Sequence, residues 1–207
     1  MKDSRFPVGR RALLRGLTLV PGLALLPWLA LAAPSRRPTP EDDWGPFYPL
    51  DWSGELDADL TRFGGRVAEG SRLSLRGRVT NRRGQGVTGA VVEIWQTDAR
   101  GRYRHPGVPE HLRDPGFQGY GRVMTDDRGE YAFVTVVPGR YGGRPPHIHI
   151  HVAAPGQKEF VSQIYFSGEN REGGAGNVIP PGREHLTVGR SPVGDGGFQS
   201  RFDIVLP

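Results

Sequence analysis

The sequence predicts an all-β domain, an antiparallel sandwich or barrel with long connecting loops. Short segments that alternate apolar and polar residues recur along the chain, and clusters of glycine and proline separate them. No segment keeps the period expected of a helix. The 31 glycines and 19 prolines are dispersed between the apolar runs. That distribution is typical of many short strands joined by turns.

The regular alternation begins at residue 72. Residues 72–80 alternate leucine and valine with polar residues, residues 81–86 form a turn, and residues 90–96 are an apolar run. We interpret these two strands as a hairpin. Further strands are predicted at 121–125, 130–137, 147–152, 160–166, 185–188 and 202–206.

The N-terminal residues have the features of an export signal. Residues 1–15 are basic, residues 13–31 are apolar but interrupted by prolines, and residues 30–32 read Ala-Leu-Ala, a small-x-small cleavage site. Arg10 and Arg11 resemble the twin-arginine type of signal, which is read by a receptor. We therefore expect export to the periplasm or exterior. A transmembrane anchor is the alternative, but the apolar run is short, so no stable membrane anchor is expected.

Three regions follow from this division: a twin-arginine-type signal peptide at 1–32, a linker and lead-in at 33–70, and a β-sandwich domain at 71–207. The formal charge is +5, but Lys2 and four arginines against Asp3 place +4 of it in the leader. The remaining domain is close to neutral, which argues against nucleic-acid binding. The absence of cysteine excludes disulfides, thiolate metal sites and cysteine nucleophiles.

The most informative segment is residues 140–151, RYGGRPPHIHIH. Because side chains alternate faces along a strand, His147, His149 and His151 should point the same way. A single buried histidine is usually structural, but three at this spacing after a Gly/Pro-rich loop favour a metal site. Tyr103 lies in the segment 101–105, GRYRH, and Tyr141 follows the turn at 138–140; neither lies on an obvious core stripe. Each tyrosine taken alone is most simply a half-buried aromatic residue.

Several linked motifs resemble the intradiol ring-cleavage dioxygenases, most closely the protocatechuate 3,4-dioxygenase type of the beta-chain kind. The matching stretches occur in the family's order: residues 89–96 (GAVVEIWQ), 101–105 (GRYRH), 114–122 (DPGFQGYGR), 144–149 (RPPHIH) and 201–206 (RFDIVL). The resemblance implies a β-sandwich that cleaves a catechol-type aromatic diol with O2 to a muconate-type dicarboxylate.

The resemblance also implies a cofactor, Fe(3+), and its ligands. In this sequence the family's two tyrosines and two histidines fall on Tyr103, Tyr141, His147 and His149. Two anionic phenolates and a hydroxide would offset the three charges of a hard ferric ion. In the family, the residue matching Tyr141 is the one released when a catechol binds.

Further residues carry over by the same resemblance. Arg144 and Gln163 match the family's catalytic arginine and glutamine, and Arg144 would stabilise negative charge on the ring. Tyr48, in the lead-in WGPFYP at 44–49, would lie near the substrate together with Arg144. The expected partners are a catechol-type small molecule and O2, and family members often pair with a homologous subunit. The chain could therefore form a homo- or hetero-oligomer.

Two departures from the family pattern stand out. Only five residues separate Tyr141 from His147, where familiar members have a longer loop that carries an aromatic wall of the pocket. His151 stands where the family usually has a small residue. It could support the ligands, lie on the surface, or compete as a ligand.

Two other readings remain open. Residues 125–141 also resemble transthyretin-like and collagen-adhesin B-type domains, which share the sandwich and bind without catalysis. A metal hydrolase or oxidase that uses only His147, His149 and His151 is the third reading.

Overall fold

The structure, a computed structural model, describes residues 35–50, 52–167, 179–194 and 196–207. The predicted signal peptide and its cleavage site lie outside these residues. The described chain contains two short 3-10 helices, Glu110–Leu112 and Glu184–Leu186, and is otherwise strands and loops. The described strands are β1 Arg62–Phe63, β2 Arg66–Val67, β3 Arg72–Thr80, β4 Val91–Gln96, β5 Tyr120–Met124, β6 Glu130–Val136, β7 His147–Ala153, β8 Phe160–Phe166, β9 Thr187–Val188, β10 Ser191–Pro192, β11 Phe198–Arg201 and β12 Ile204–Val205.

Two open sheets form the sandwich. In the first sheet, β3 pairs with β6 on one side and with β11 and then β12 on the other, and β10 extends β11. The second sheet has the order β5-β4-β7-β8-β9. A separate two-stranded sheet, β1-β2, belongs to the lead-in. The expected all-β sandwich is confirmed.

The core lies between the two sheets. On β3, alternate residues such as Leu73 and Leu75 are fully buried, and Val92 and Ile94 on β4 are buried from the opposite side. On β7, Ile148 and Ile150 also point inward. Burial of such side chains contributes about 1.5–3 kcal/mol each, which makes this layer the main source of stability.

The expected hairpin between residues 72–80 and 90–96 is wrong. β3 and β4 belong to different sheets, and the connection between them crosses the edge of the sandwich. The alternation shows which face of each strand is apolar. It does not show whether two such strands are neighbours in one sheet or face each other across the core from two sheets. Here Leu75 and Ile94 belong to one core cluster.

The predicted strands at the chain's end also need correction. Residues 184–186 form a 3-10 helix before β9, and the predicted strand at 202–206 is reduced to β12. β11 was not predicted. Three pairings are parallel, those of β11 and β12 with β3 and that of β9 with β8, so the sandwich is only mostly antiparallel.

Residues 40–42 of the lead-in run beside β8, at the edge of the second sheet. The backbone N–H of Asp42 donates to the Val161 carbonyl at 3.0 Å, and the Ser162 hydroxyl donates to the Pro40 carbonyl at 2.8 Å. These contacts fix the lead-in to β8 immediately before residues 44–48, which pack on the rings of Trp95 and His151. None of the helices in the described ranges is long and apolar enough to cross a bilayer.

Candidate active site

The candidate site is built on the outer face of the second sheet, opposite the core. His147, His149 and His151 alternate with the core isoleucines of β7 and share this face. Their exposed fractions are only 3%, 2% and 7%. Antiparallel pairing sets Trp95 and Gln163 on either side of His149. The strand register therefore decides which side chains flank each histidine.

The hydrogen bonds of His147 fix its tautomer. Its Nδ1 lies 2.8 Å from the carbonyl oxygen of Pro145, and a carbonyl can only accept, so Nδ1 carries the proton. The unprotonated Nε2 then accepts a hydrogen bond from the Tyr103 hydroxyl at 3.2 Å. An Nε2 lone pair directed by a backbone bond at Nδ1 is the usual arrangement of a metal-binding histidine.

The ring of His149 is held by packing. It stacks on Trp95 with ring centroids 4.8 Å apart and an interplanar angle of 8°. Its Nδ1 is buried with no partner at ordinary hydrogen-bond geometry in the described part of the chain. Gly45 lies over the ring, and a Cβ at that position would meet His149 Cε1 at 2.9 Å and Nε2 at 3.3 Å. Glycine is therefore the residue that lets this segment pack directly on the His149 ring.

Both histidines are held in the neutral form. Burial lowers the pKa of His147 to about 4 and that of His149 to about 3, from an ordinary value of 6.5. For His149 the charge of Arg144, and that of His147 once it is protonated below about pH 4, lower the pKa further. Neutral imidazoles with free lone pairs are what a metal ion needs.

The two tyrosines come from loops that meet beside β7. Tyr103 is buried and Tyr141 is half-buried, with ring centroids 5.4 Å apart. The loops approach closely because they meet at glycines. A Cβ on Gly101 would lie 1.9 Å from the Arg140 carbonyl oxygen, and one on Gly139 would lie 2.3 Å from the Gly101 nitrogen. Burial raises the pKa of Tyr103, so its hydroxyl keeps its proton unless a cation lies beside it.

The short connection from Tyr141 to His147 is a tight turn. Arg144 N–H donates to the Tyr141 carbonyl at 2.8 Å, and Gly142 and Gly143 at the tip have φ angles of 52° and 79°. Positive φ at both central positions is the reason for two glycines. The tip of this turn carries no side chain. The short loop therefore supplies no aromatic wall, as the sequence predicted.

Arg144 lies in a buried polar network. Its Nη2 donates to Gln163 Oε1 at 2.6 Å and to the Tyr165 hydroxyl at 3.1 Å. The Tyr165 hydroxyl also lies 3.3 Å from Asp42 Oδ2, and Arg183 binds both oxygens of Asp42 at 2.9 and 2.7 Å. Although burial alone would raise the pKa of Asp42, its bonds to Arg183 lower it.

A second polar cluster lies next to Trp95 on the same face. The Glu93 carboxylate, 6% exposed, accepts hydrogen bonds from Tyr48 at 3.0 Å, Tyr120 at 2.7 Å and His151 Nδ1 at 2.7 Å. Burial alone would raise the pKa of Glu93, but these bonds hold it at about 2. We call Glu93, Tyr48, Tyr120 and His151 the Glu93 cluster. His151 is thus neither a surface residue nor directed at the other two histidines.

The spacing of Tyr103 and His147 matches that of two ligands on one metal ion. Two donor atoms bound at about 2.1 Å and at right angles to each other lie about 3.0 Å apart, and Tyr103 Oη lies 3.2 Å from His147 Nε2. The rings of His147 and His149 are 4.9 Å apart. Among residues 35–50, 52–167, 179–194 and 196–207, no group of three or more His, Cys, Asp or Glu side chains is arranged to hold a metal. The all-histidine reading gains no support from that finding.

The structure thus brings most of the expected residues together. Tyr103, Tyr141, His147 and His149 converge, and Arg144 contacts Gln163. Tyr48 is nearby, but its hydroxyl is bonded to Glu93. Sequence reasoning missed several residues that surround them: Glu93, Trp95, Tyr120, Tyr165, Asp42 and Arg183. A carboxylate inside the apolar run at 91–95, two residues from a tryptophan, was a usable signal for Glu93. Asp42 and Arg183 lie far apart in sequence and gave none.

This fold is that of the intradiol ring-cleavage dioxygenase class. The chain belongs to that family: a family model described as Dioxygenase matches residues 44–207. It is also similar to the solved dioxygenase domain of a dioxygenase carbohydrate-binding protein fusion from Streptomyces sp. SirexAA-E. The two are 30% identical, with a TM-score of 0.64, over 82% of this chain and 98% of that one.

Curated relatives agree with this family. The protocatechuate 3,4-dioxygenase beta chain of Burkholderia cepacia is 39% identical over 62% of this chain and 59% of its own length. Catechol 1,2-dioxygenase 2 of Acinetobacter lwoffii is 32% identical over 48% of this chain and 42% of its own. This chain therefore spans less than two thirds of these relatives. The 3-chlorocatechol 1,2-dioxygenase structure from Rhodococcus opacus 1CP, 22% identical with a TM-score of 0.64, shares the fold.

The two depressed histidine pKa values predict acid sensitivity in the metal-free protein. Below pH 6.5 the unfolded chain protonates His147 and His149 while the folded chain does not, until about pH 4 and pH 3. The unfolded state then binds more protons, so stability falls as pH falls through this window. We expect a loss of up to ~1.4 kcal/mol per pH unit for each histidine.

Urea unfolding between pH 7 and pH 5 measures this slope. The window lies above 4.5, the ordinary pKa of Glu93, whose own contribution is lost only below that value. His149→Gln should remove one titrating group, so the slope of unfolding free energy against pH should fall by the equivalent of about one bound proton. An unchanged slope in that variant would contradict the assignment.

Proposed function

We propose that this chain is a non-haem Fe(3+) intradiol dioxygenase that cleaves a protocatechuate-like catechol with O2 to a muconate-type dicarboxylate. The observation that carries the proposal is the Tyr103–His147 contact, with His149 and Tyr141 beside it, in a chain of this family. A plain binding module has no need for a buried phenol bonded to an unprotonated imidazole nitrogen. The names of the relatives support the substrate class.

The proposed iron ligands are Tyr103, Tyr141, His147 and His149. A ferric ion there would bind the catechol oxygens and activate the ring toward dioxygen. The chain's own part is to hold two neutral imidazoles in fixed orientations and to supply two phenolates. Burial makes the Tyr103 phenolate costly without the cation. Two phenolates bring two negative charges to the site, which favours a trivalent ion over a divalent one.

Arg144 is the proposed catalytic cation, and Gln163 holds it. The guanidinium is fixed by Gln163 and Tyr165, so its charge is in place before the ring becomes electron-rich. The nearby carboxylate, Asp42, binds Arg183 through both oxygens. Asp42 therefore does not pair with Arg144, whose charge remains available to the substrate. Tyr48 and Arg144 are the proposed substrate-binding residues. Because the Tyr48 hydroxyl is bonded to Glu93, its contact with substrate would be through the ring.

The ring-cleavage experiment uses the purified chain alone with a panel of catechols, and follows oxygen uptake and products. We expect muconate-type products. Arg144→Ala should retain iron and still bind catechol through the metal, although it loses the Arg144 contact, and the rate should fall about a hundredfold or more. Arg100→Ala, which removes an exposed arginine, serves as the control.

Each other outcome is informative. Semialdehyde products would mean extradiol cleavage, and no oxygen uptake with any catechol would favour a binding module. Activity restored only by a homologous subunit would show that the chain works in a hetero-oligomer, as the relative named a beta chain suggests.

The iron assignment has its own test. We expect one ferric ion per chain and a reddish protein, since tyrosinate bound to ferric iron absorbs visible light. His149→Ala should lose both iron and colour. His151→Gln should keep them, because His151 is bonded to Glu93 through Nδ1. Metal analysis and the visible spectrum decide; loss of metal in the His151 variant as well as in the His149 variant would favour the all-histidine site.

We also propose that the chain is exported through the twin-arginine route, on the evidence of Arg10, Arg11 and the apolar run that follows. Replacing both arginines by lysine should leave the precursor in the cytoplasm, as measured by cell fractionation. Normal export of that variant would indicate the general secretory route.

A further inference from the structure

A short cover segment, residues 44–48, lies directly on the proposed iron ligands. Gly45 sits over the ring of His149. Phe47 stacks on Tyr103, with centroids 4.5 Å apart, and meets Tyr141 edge-on at 5.0 Å. One short segment thus touches three of the four ligands. Its position decides how much freedom both tyrosine rings have.

The cover segment has a single polar attachment at its downstream end. Upstream, Asp42 and Asp43 are bonded to Val161 and Gln163 on β8. Within the segment itself, we find one hydrogen bond to the sheet in the described part of the chain, from the Tyr48 hydroxyl to Glu93 at 3.0 Å. The remaining contacts are ring packing, such as Trp44 on Trp95 and His151.

Glu93 is a strong anchor for that attachment. It projects from the middle of β4 and is bonded to Tyr120 on β5 and His151 on β7, so three paired strands fix its carboxylate. Arg122 adds a positive charge 3.6 Å from Glu93 Oε1. A buried carboxylate is costly unless it is well paired, and Glu93 still has Tyr120, His151 and Arg122 as partners when the Tyr48 hydroxyl is removed. Tyr48 is the one of these partners that does not belong to the sheet.

We propose that the Tyr48–Glu93 hydrogen bond latches the cover segment over the ligands, which makes Glu93 a positioning residue for the metal site. The ligand assignment rests on the proposed function. The latch itself is a property of the chain without metal. It also accounts for His151: a histidine at this strand position completes the pairing of Glu93 and is not required as a ligand.

The chain offers a matched pair of variants. Tyr48→Phe and Tyr120→Phe each remove one hydroxyl that donates to Glu93 and keep the ring. Only Tyr48 lies in the cover segment. A ring contact of Tyr48 with substrate is preserved in the phenylalanine variant, so the change reports on the latch alone.

The first measurement is hydrogen–deuterium exchange of peptides that cover residues 44–50, on the full chain as purified and after chelation. Loss of a hydrogen bond to a charged acceptor should raise exchange in this segment about tenfold or more in Tyr48→Phe. Tyr120→Phe should leave it near the wild-type rate. Equal effects in both variants, or no effect in either, would overturn the latch.

The second measurement is the visible absorption of the iron-loaded protein. In Tyr48→Phe the tyrosinate band should shift or weaken and iron should dissociate at least severalfold faster, while Tyr120→Phe stays near wild type. Faster exchange with an unchanged spectrum and iron release would mean that the segment is latched but does not position the ligands, which overturns that part of the proposal. If the wild type binds no iron, the exchange result still stands or falls independently.

Discussion

The two-residue period of the second sheet is the constraint on which the rest of the structure depends. On β7 the sequence His-Ile-His-Ile-His sends isoleucines into the core and histidines to the outer face. A slip of one residue would put imidazoles in the core and expose the isoleucines, so core burial enforces the register of the site. The same period on β4 and β8 brings Trp95 and Gln163 beside His149. Stability and site geometry therefore come from one pattern.

An outer sheet face rich in polar groups can be buried only if those groups find partners. Two networks meet this need, one around Glu93 and one that joins Arg144, Gln163 and Tyr165. Each network also takes in a residue of the lead-in, Tyr48 in the first and Asp42 in the second. The lead-in is consequently fixed to the sheet on both sides of the metal-ligand candidates. The lead-in residues Tyr48 and Asp42 thus help to cover the site and also supply hydrogen bonds to its polar groups.

The sequence was informative where the chemistry is local. The strands at β3, β6 and β8 could be predicted closely because alternation and turn residues report on a strand's own faces. The pairing partner of β3 could not, because an apolar face carries no information about which apolar face it meets. The histidines were found through their spacing in one strand. Glu93, Asp42 and Arg183 were missed because their roles depend on contacts between segments distant in sequence.

The four ligand candidates divide into two kinds. His147 and His149 are on a central strand and are fixed by a backbone hydrogen bond and by stacking on Trp95. The tyrosines are on loops, and they differ from each other. Tyr103 is 3% exposed and hydrogen-bonded to His147. Tyr141 is half-buried at the start of a Gly-Gly turn.

The contacts of the Tyr141 ring in the described chain are with other rings, Phe47 and Tyr103. Moving Tyr103 would break a buried hydrogen bond and expose a buried ring. Among the described residues, no hydrogen bond to the Tyr141 side chain would be lost by moving its ring. If one phenol is to give way to an incoming ligand, the lower free-energy cost falls on Tyr141. Because Phe47 contacts both rings, the position of the cover segment bears directly on that difference.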